Sequence, residues 1–325
     1  MRVLVTGGAG YIGSVATAML LERGHRVVVL DSLARGHAAA VSSDAEFVQA
    51  DLRDEQATRQ AVAGAGVEAV LHFAALHLVP ESVEQPAEYY RTNVVGGLNL
   101  LDAVRAAGIR KFVFSSTAAV YGIPEALPIR EDSPTNPINP YGESKLMVER
   151  MLASYGATYG INYAIFRYFN VAGSRGSQGE DHRPETHVIP VAIEAITGKR
   201  ETFTVFGTDY ATDDGTAIRD YVHVIDLVEA HLIALERLDM SLGVFNLGTR
   251  YGFSVNQVVQ AVELTTDQRL PVAYGPRRTG DPPALIADSS RARELLGWEP
   301  RHSTLDLMIG SHWDWVRTHP QGYPD

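Results

Sequence analysis

Cysteine is absent from the 325 residues, which excludes disulfides, thiolate metal sites and a cysteine nucleophile. Lysine is scarce: Lys111, Lys145 and Lys199 stand among 28 basic residues. No apolar run approaches the about 18 residues of a membrane-spanning helix, so no membrane partner is expected. The N-terminus opens into the strand-like Val3-Leu4-Val5 and lacks the basic-then-apolar build of a signal peptide. These absences point to the cytoplasm. Basic charge is also short, and the net charge of −11 speaks against a nucleic-acid partner. It does not exclude an anionic small molecule, which local arginines can hold. The rest is ordinary for a globular chain, at 45% apolar and 21% charged. The length suits two domains, or one large domain with a lobe.

Short apolar runs alternate with helical patterns through the first half. Strands are expected at Arg2 to Thr6, Arg26 to Asp31, Glu46 to Ala50, Ala69 to Phe73, Lys111 to Ser115 and Tyr163 to Arg167. They are too apolar for one-sided strands, which implies a parallel sheet covered on both faces. Helices are expected at Gly13 to Arg23, Glu55 to Ala63, Asn93 to Ala107 and Gly142 to Thr158. The fold class is therefore α/β, a doubly wound parallel (Rossmann) sheet. The rhythm breaks in the second half. Gly173 to Pro184 reads as a loop or lid. A helix at Val188 to Thr197, a strand near Thr202 to Phe206 and a loop at Gly207 to Asp220 follow. Then come a helix at Val224 to Leu238, a strand at Val244 to Leu247 and a helix at Val255 to Leu264. The expected division is residues 1–170 as the Rossmann domain and 171–325 as a smaller mixed α/β lobe, with some segments returning to the first. The tail His319 to Asp325 is expected at the surface.

Thr6-Gly-Gly-Ala-Gly-Tyr-Ile-Gly-Ser14 joins the first strand to the first helix. Gly7, Gly10 and Gly13 fit one glycine fingerprint, and Gly8, Gly10 and Gly13 fit another. Such glycines let the backbone turn tightly and approach a pyrophosphate at the helix N-terminus. A bare glycine pattern is weak, but this one lies between strand and helix, as the mechanism requires. Asp31 ends the second strand, where a carboxylate would accept adenosine ribose hydroxyls and repel a 2′-phosphate. NAD is favoured over NADP, although Arg35 lies nearby. Asp51 would contact the adenine or simply cap a strand end. His72-Phe-Ala-Ala75 closes the fourth strand with small residues, which suits either a cofactor or tight helix packing. Asn93 begins a helix and would serve the cofactor or act as an N-cap.

Tyr141 and Lys145 are four apart and share one helix face. A nearby cation favours the phenolate, so the pair suits a tyrosine base near neutral pH. Alone, the spacing is common in exposed helices. Here Phe114-Ser-Ser-Thr117 places hydroxyls at the carboxyl edge of the sheet, and Thr117 precedes Tyr141 by 24 residues. With these three the chain resembles the extended short-chain dehydrogenase/reductase superfamily. Arg167-Tyr-Phe-Asn-Val-Ala-Gly173, the run Phe206 to His223, Pro276-Arg-Arg-Thr-Gly-Asp281 and His319-Pro-Gln-Gly-Tyr-Pro-Asp325 narrow the likeness. They are similar to the UDP-glucose 4-epimerases of the NAD-dependent epimerase/dehydratase family, from Arg2 to the last residue.

That resemblance implies the following. Tyr141 takes the proton from the sugar 4-hydroxyl, Lys145 holds the nicotinamide ribose and lowers the tyrosine pKa, and Thr117 hydrogen-bonds the 4-oxygen. The 4-keto sugar turns over and receives the same hydride on its other face, interconverting UDP-galactose and UDP-glucose. NAD contacts fall to Gly7, Gly10, Tyr11, Ile12, Gly13, Asp31, Ser32, Leu33, Arg35, Gly36, Asp51 and Leu52. They continue through Phe73, Ala74, Ala75, His77, Asn93, Ser115, Tyr141, Lys145 and Phe169. Substrate contacts fall to Thr117, Tyr141, Asn170, His187, Val188, Thr204, Phe206, Arg219, Arg278, Asp281 and Leu285. Arg219 and Arg278 would bind the diphosphate, Phe206 would lie near the uracil and Asp281 at its ribose. The eleven histidines show no metal spacing, and no metal is expected. The family pairs subunits through two helices each, which implies a homodimer.

The chain departs from the family at three places. Thr117 stands where Ser is frequent, His77 replaces a cofactor-binding Lys of some members, and Leu285 replaces a Tyr that crowds the sugar C2 substituent. An N-acetyl group would then have room. Other readings are a 4-epimerase of an N-acetylated, uronate or pentose UDP-sugar, a nucleotide-sugar dehydratase, and a non-catalytic NAD-binding scaffold. The dehydratase would need an Asp-Glu pair where Ala118 and Ala119 stand. A scaffold would be expected to lose Tyr141 or Lys145.

Overall fold

The computed structural model describes residues 1–278 and 281–324. Thr279, Gly280 and Asp325, which belong to two of the quoted motifs, lie outside them. Seven parallel strands form the central sheet: β1 (Arg2–Thr6), β2 (Arg26–Asp31), β3 (Glu46–Gln49), β4 (Ala69–His72), β5 (Lys111–Thr117), β6 (Asn162–Tyr168) and, far later in the chain, the strand Gly243–Leu247. The three-residue β7 (Asn170–Ala172), then β8 (Phe203–Phe206), β9 (Ile218–Arg219) and β10 (Tyr221–His223) precede that last strand, which is β11. The order across the sheet is β11-β6-β5-β4-β1-β2-β3. It reverses direction at β1 and β4, and ligands of such sheets bind at the carboxyl ends beside that reversal.

Side chains alternate between the two faces, as strand geometry requires. Val3, Val5, Val27 and Val29 pack on one side, under the helices α1 (Tyr11–Glu22), α8 (Val224–Glu236) and α10 (Ser290–Leu296). Leu4, Val28 and Leu30 pack on the other, under α2 (Glu55–Ala65), α5 (Gly96–Ala106) and α6 (Pro140–Tyr159). Each fully buried Val or Leu contributes roughly 1.5–3 kcal/mol of transfer free energy. Both faces are dry, which explains why these strands read as continuous apolar runs.

Local signals set the helix ends. The Asn139 side chain accepts from Gly142 N at 2.9 Å, Pro140 occupies the first turn, and Gly160 closes α6 with φ +70°. Asp54 caps α2 in the same way through Ala57 N at 2.9 Å. Such a cap contributes about 1 kcal/mol. Between β4 and α5 the chain forms α3 (Val79–Glu84), α4 (Pro86–Tyr89) and a π-helical turn at Tyr90–Val95. Asn93 is therefore inside a continuing helix, and of its two readings the N-cap does not hold.

A third core supports the remainder. It joins α7 (Val188–Ile196), α9 (Val255–Thr266) and α11 (Leu305–Thr318) to β8 and β10. Ser254 starts α9 with a reciprocal capping box to Gln257. The short strands β12 (Phe253–Ser254), β13 (Val272–Gly275) and β14 (Ala284–Leu285) complete the small sheets. No helix among the described residues is long and apolar enough to cross a membrane. The tail corrects one expectation. Tyr323 is 5% exposed, stacks on His37 at 5.3 Å, and its hydroxyl accepts from Gly179 N at 2.9 Å. Its ring fills apolar space beside Trp315, so this part of the tail is interior.

Candidate active site

A cavity of about 970 Å³ opens along the carboxyl ends of the sheet strands and reaches Arg219, Arg278 and Asp281. Its floor is the β1–α1 turn. Gly7 adopts φ +72°, and a Cβ there would lie 2.5 Å from Ala74 N. A Cβ on Gly13 would lie 2.1 Å from Gly7 O. No side chain caps α1, whose first residues line the cavity, so its N-terminal amides are available to an anion. Asp31 is 8% exposed, accepting from Ala9 N at 3.0 Å and Leu33 N at 2.8 Å. Burial raises its pKa, and the backbone donors oppose the rise. A glycine cradle with no room for a side chain, an uncapped helix start and a fixed carboxylate fit a dinucleotide.

Most of the expected residues meet in this cavity. Gly7, Gly10, Tyr11, Ile12, Gly13, Asp31, Ser32, Arg35, Gly36, Asp51 and Leu52 line one end, with Phe73, Ala74, Ala75 and His77. Thr117, Tyr141, Lys145, Phe169, Asn170 and His187 line the middle, and Arg219, Arg278, Asp281 and Leu285 the far end. Several of these groups already hold partners. The Asp51 carboxylate is paired with Arg53 at 2.6 Å, and Arg35 is paired with Glu81. At the far end Arg219 is paired with Asp281, and the Arg278 guanidinium lies 4.2 Å over the Phe206 ring.

Six expected residues are not in the cavity wall. Asn93 spends its amide on Leu76, accepting from its N–H at 2.8 Å and donating to its carbonyl at 3.0 Å, and on Ser144 Oγ at 2.9 Å. It supports the lining segment from behind. Ser115 Oγ is 3.2 Å from His231 Nε2, and only its carbonyl serves the site. Leu33 lines an adjoining recess of about 280 Å³. Val188 packs against the third core. Thr204 and Phe206 lie along β8, with Phe206 reaching the site only through Arg278.

The chemistry-bearing side chains come from two elements. Thr117 ends β5 and caps the following turn by accepting from Ala119 N at 3.2 Å. Tyr141 and Lys145 sit in the first two turns of α6 and are 9% and 4% exposed. Lys145 Nζ donates to Ser115 O at 2.8 Å and lies 4.9 Å from the Phe114 ring centre. Burial pushes the Tyr141 phenol up to about 12, while Thr117 opposes the rise. Burial also pushes Lys145 down to about 7, and the Glu149 carboxylate opposes that fall. Desolvation raises the phenol, where the lysine was expected to lower it. Glu149 itself is held by Arg167 at 2.6 Å, with 5% and 7% side-chain exposure. This buried pair ties α6 to β6 behind the site.

Sequence reasoning missed several contributors. The His37 imidazole Nε2 lies 3.0 Å from Asp181 O and, with the expected Tyr11, which donates to Gly173 O, draws the 173–187 loop over the β1–α1 turn. Glu180 and His182 line the cavity, and Glu185 stands behind them. The signal was present as Glu180-x-His182-x-x-Glu185-x-His187, of which only His187 was selected.

The sequence profile of the NAD dependent epimerase/dehydratase family matches residues 3–248. The UDP-glucose 4-epimerase of Lactobacillus helveticus is 49% identical over 329 residues, covering 100% of each chain. Among solved structures, UDP-glucose 4-epimerase from Brucella ovis in complex with NAD is similar with TM-score 0.94 and 46% identity, covering 96% of this chain and 97% of that one. The Bifidobacterium longum enzyme in complex with NAD+ and UDP has TM-score 0.94 and 36% identity, covering 99% and 100%. With the glycine cradle, the Tyr141–Lys145 helix and these full-length likenesses together, the chain belongs to the NAD dependent epimerase/dehydratase family.

Proposed function

We propose that this protein interconverts UDP-galactose and UDP-glucose by epimerisation at C4, through a transient 4-keto sugar, with NAD retained across cycles. The observation that carries the reading is one continuous cavity. Its wall holds the glycine turn, Thr117 and Tyr141, and Arg219, Arg278 and Asp281 together. When bound, NAD supplies a hydride acceptor that returns the hydride, and a positive ring.

Asp31 and the amides opening α1 would hold the cofactor. Tyr141 takes the 4-hydroxyl proton, and it returns one when the keto group is reduced. Thr117 steadies the 4-oxygen through its hydroxyl, and the Lys145 ammonium, fixed on the Ser115 carbonyl, would hold the cofactor ribose. Arg219 and Arg278 answer the diphosphate charge, because planar guanidinium groups match phosphate oxygens. For that, Arg219 exchanges Asp281 for phosphate, which frees Asp281 for the nucleoside ribose. Firm binding at the nucleotide leaves the sugar free to turn. Ala118 and Ala119 line the cavity after Thr117, so no carboxyl pair is present there to eliminate water.

One observation favours a broader substrate range. Leu285 lines the cavity and packs beside Val120 and Tyr121, leaving apolar space where a larger ring would crowd a C2 substituent. We infer that an N-acetylated UDP-sugar is accepted as well. We also infer a cytoplasmic homodimer, pairing through α5 and α6. Leu98 on α5 is 38% exposed and Val95 beside it 45%. Light scattering at micromolar concentration distinguishes dimer from monomer.

The deciding assay supplies UDP-galactose alone, with no added NAD. Conversion to UDP-glucose supports the reading. No conversion by protein shown to carry NAD overturns it.

A further inference from the structure

Three imidazoles meet where the 173–187 loop crosses the cavity. The ring centres of His77 and His182 are 4.6 Å apart, those of His182 and His187 5.3 Å, and those of His77 and His187 5.7 Å. Three histidines on one tetrahedral ion, each with a metal–nitrogen bond of about 2.0–2.1 Å, place their ring centres about 5 Å apart. The nitrogens that these residues offer lie within 4.8 Å of one another.

The outer partners fit the same purpose. His182 Nδ1 lies 3.1 Å from Glu180 Oε1. His187 Nδ1 lies 2.8 Å from Glu185 Oε1 and 2.9 Å from Glu180 Oε1. Metal-binding histidines generally give one ring nitrogen to a carboxylate, which fixes the ring and turns the other nitrogen toward the ion. Two buried atoms in the cluster have no partner: His77 Nε2, and Oε2 of Glu180, a residue 4% exposed. An orphaned buried acceptor is costly. An ion held by the three histidines would satisfy His77 Nε2.

We propose that His77, His182 and His187 form a binding site for a borderline-soft divalent ion of the zinc type, with Glu180 and Glu185 as outer partners. Nitrogen donors select such an ion over magnesium or calcium, which require oxygen. All three histidines line the large cavity, so the fourth coordination position opens to whatever anion enters it. The proposal stands independently of the epimerase reading, because binding is measured directly.

The test uses untagged protein with its NAD, stripped with a chelator, loaded with zinc sulfate and gel-filtered. One zinc per chain by atomic emission is expected, and cobalt(II) should give the intense visible bands of a tetrahedral nitrogen site. His182→Ala and His77→Ala should each weaken zinc binding by more than tenfold, and Glu185→Gln by roughly 10–100-fold, as for other outer partners. Circular dichroism checks that the variants fold. Wild-type protein that retains no zinc, gives no tetrahedral cobalt spectrum, or binds zinc as tightly after the folded His77→Ala and His182→Ala changes overturns the site. The cobalt spectrum needs no variant and decides the matter if the substitutions unfold the chain.

Discussion

Lys145 donates its ammonium to the carbonyl of Ser115 at 2.8 Å, so the end of β5 dictates where the only buried lysine charge points. The Tyr141 phenol is left to Thr117 and to whatever fills the cavity. Tyr141→Phe should lower kcat by at least ~100-fold, the lower end for a general base. KM should change little. Lys145→Ala should also lower kcat, with its optimum moved to higher pH, because one cation that favours phenolate is gone. Steady-state kinetics across pH 6 to about 10 measure both. Near wild-type turnover in the phenylalanine variant would remove Tyr141 from the chemistry.

The hydroxyl of Thr117 opposes the rise of the Tyr141 pKa toward about 12. Removing it should push the phenol further up, so less phenolate exists at neutral pH. Thr117→Val is therefore expected to be slow at pH 7 and to recover part of its rate as pH rises. Thr117→Ser keeps the hydroxyl and should stay close to wild type. Equal pH profiles for the valine and serine variants would contradict the role.

Leu285 gives a test of specificity. Leu285→Tyr should reduce kcat/KM for UDP-N-acetylgalactosamine far more than for UDP-galactose, since added bulk meets only the larger sugar. The ratio of the two values is the measurement. An unchanged ratio, or a wild type that refuses the acetylated sugar, assigns the gate to another wall.

Acid should destabilise the fold through buried neutral histidines. Burial pushes His72 down to about 3, and His223 and His231 to about 4. Their ordinary value is near 6.5. Above it these rings are neutral in both states and the fold carries no penalty. As pH falls from about 6.5 toward 4, the unfolded chain takes up protons that the folded chain refuses, so stability falls. Each ring contributes a slope of up to about 1.4 kcal/mol per pH unit. His231→Gln should flatten the urea-midpoint curve over that window by about one proton. An identical slope would show that His231 is protonated in the folded state.

Much of this was readable in the chain because it is local. Continuous apolar runs marked β1 and β2, and the glycine turn, Asp31 and the Tyr141–Lys145 pair each depend on neighbours close in sequence. What was missed depends on distant partners. The two-residue strands β9, β12 and β14 exist only through one another, so no periodicity announces them. Asn93 looked like a helix start, and its role became visible only when Leu76 lay against it. Tyr323 looked like a surface tail because nothing near it in sequence shows Gly179 or His37. The imidazole cluster has no metal spacing along the chain, since His77 comes from a loop more than a hundred residues before His182.

The sheet does not end with the first 170 residues, because β11 lies along the outer side of β6. A fragment cut after residue 170 would keep the glycine turn and the two elements that carry Thr117, Tyr141 and Lys145. It would also leave Ala164, Ile165 and Phe166 on a naked strand edge, the kind of surface that recruits another chain. Such a piece is expected to collect as insoluble aggregate on expression. A piece extended through Leu247 regains that edge cover, but it still bares the third core that α9 and α11 close. Dividing this protein into a portable cofactor module and a separate sugar module is thus blocked by a single five-residue strand.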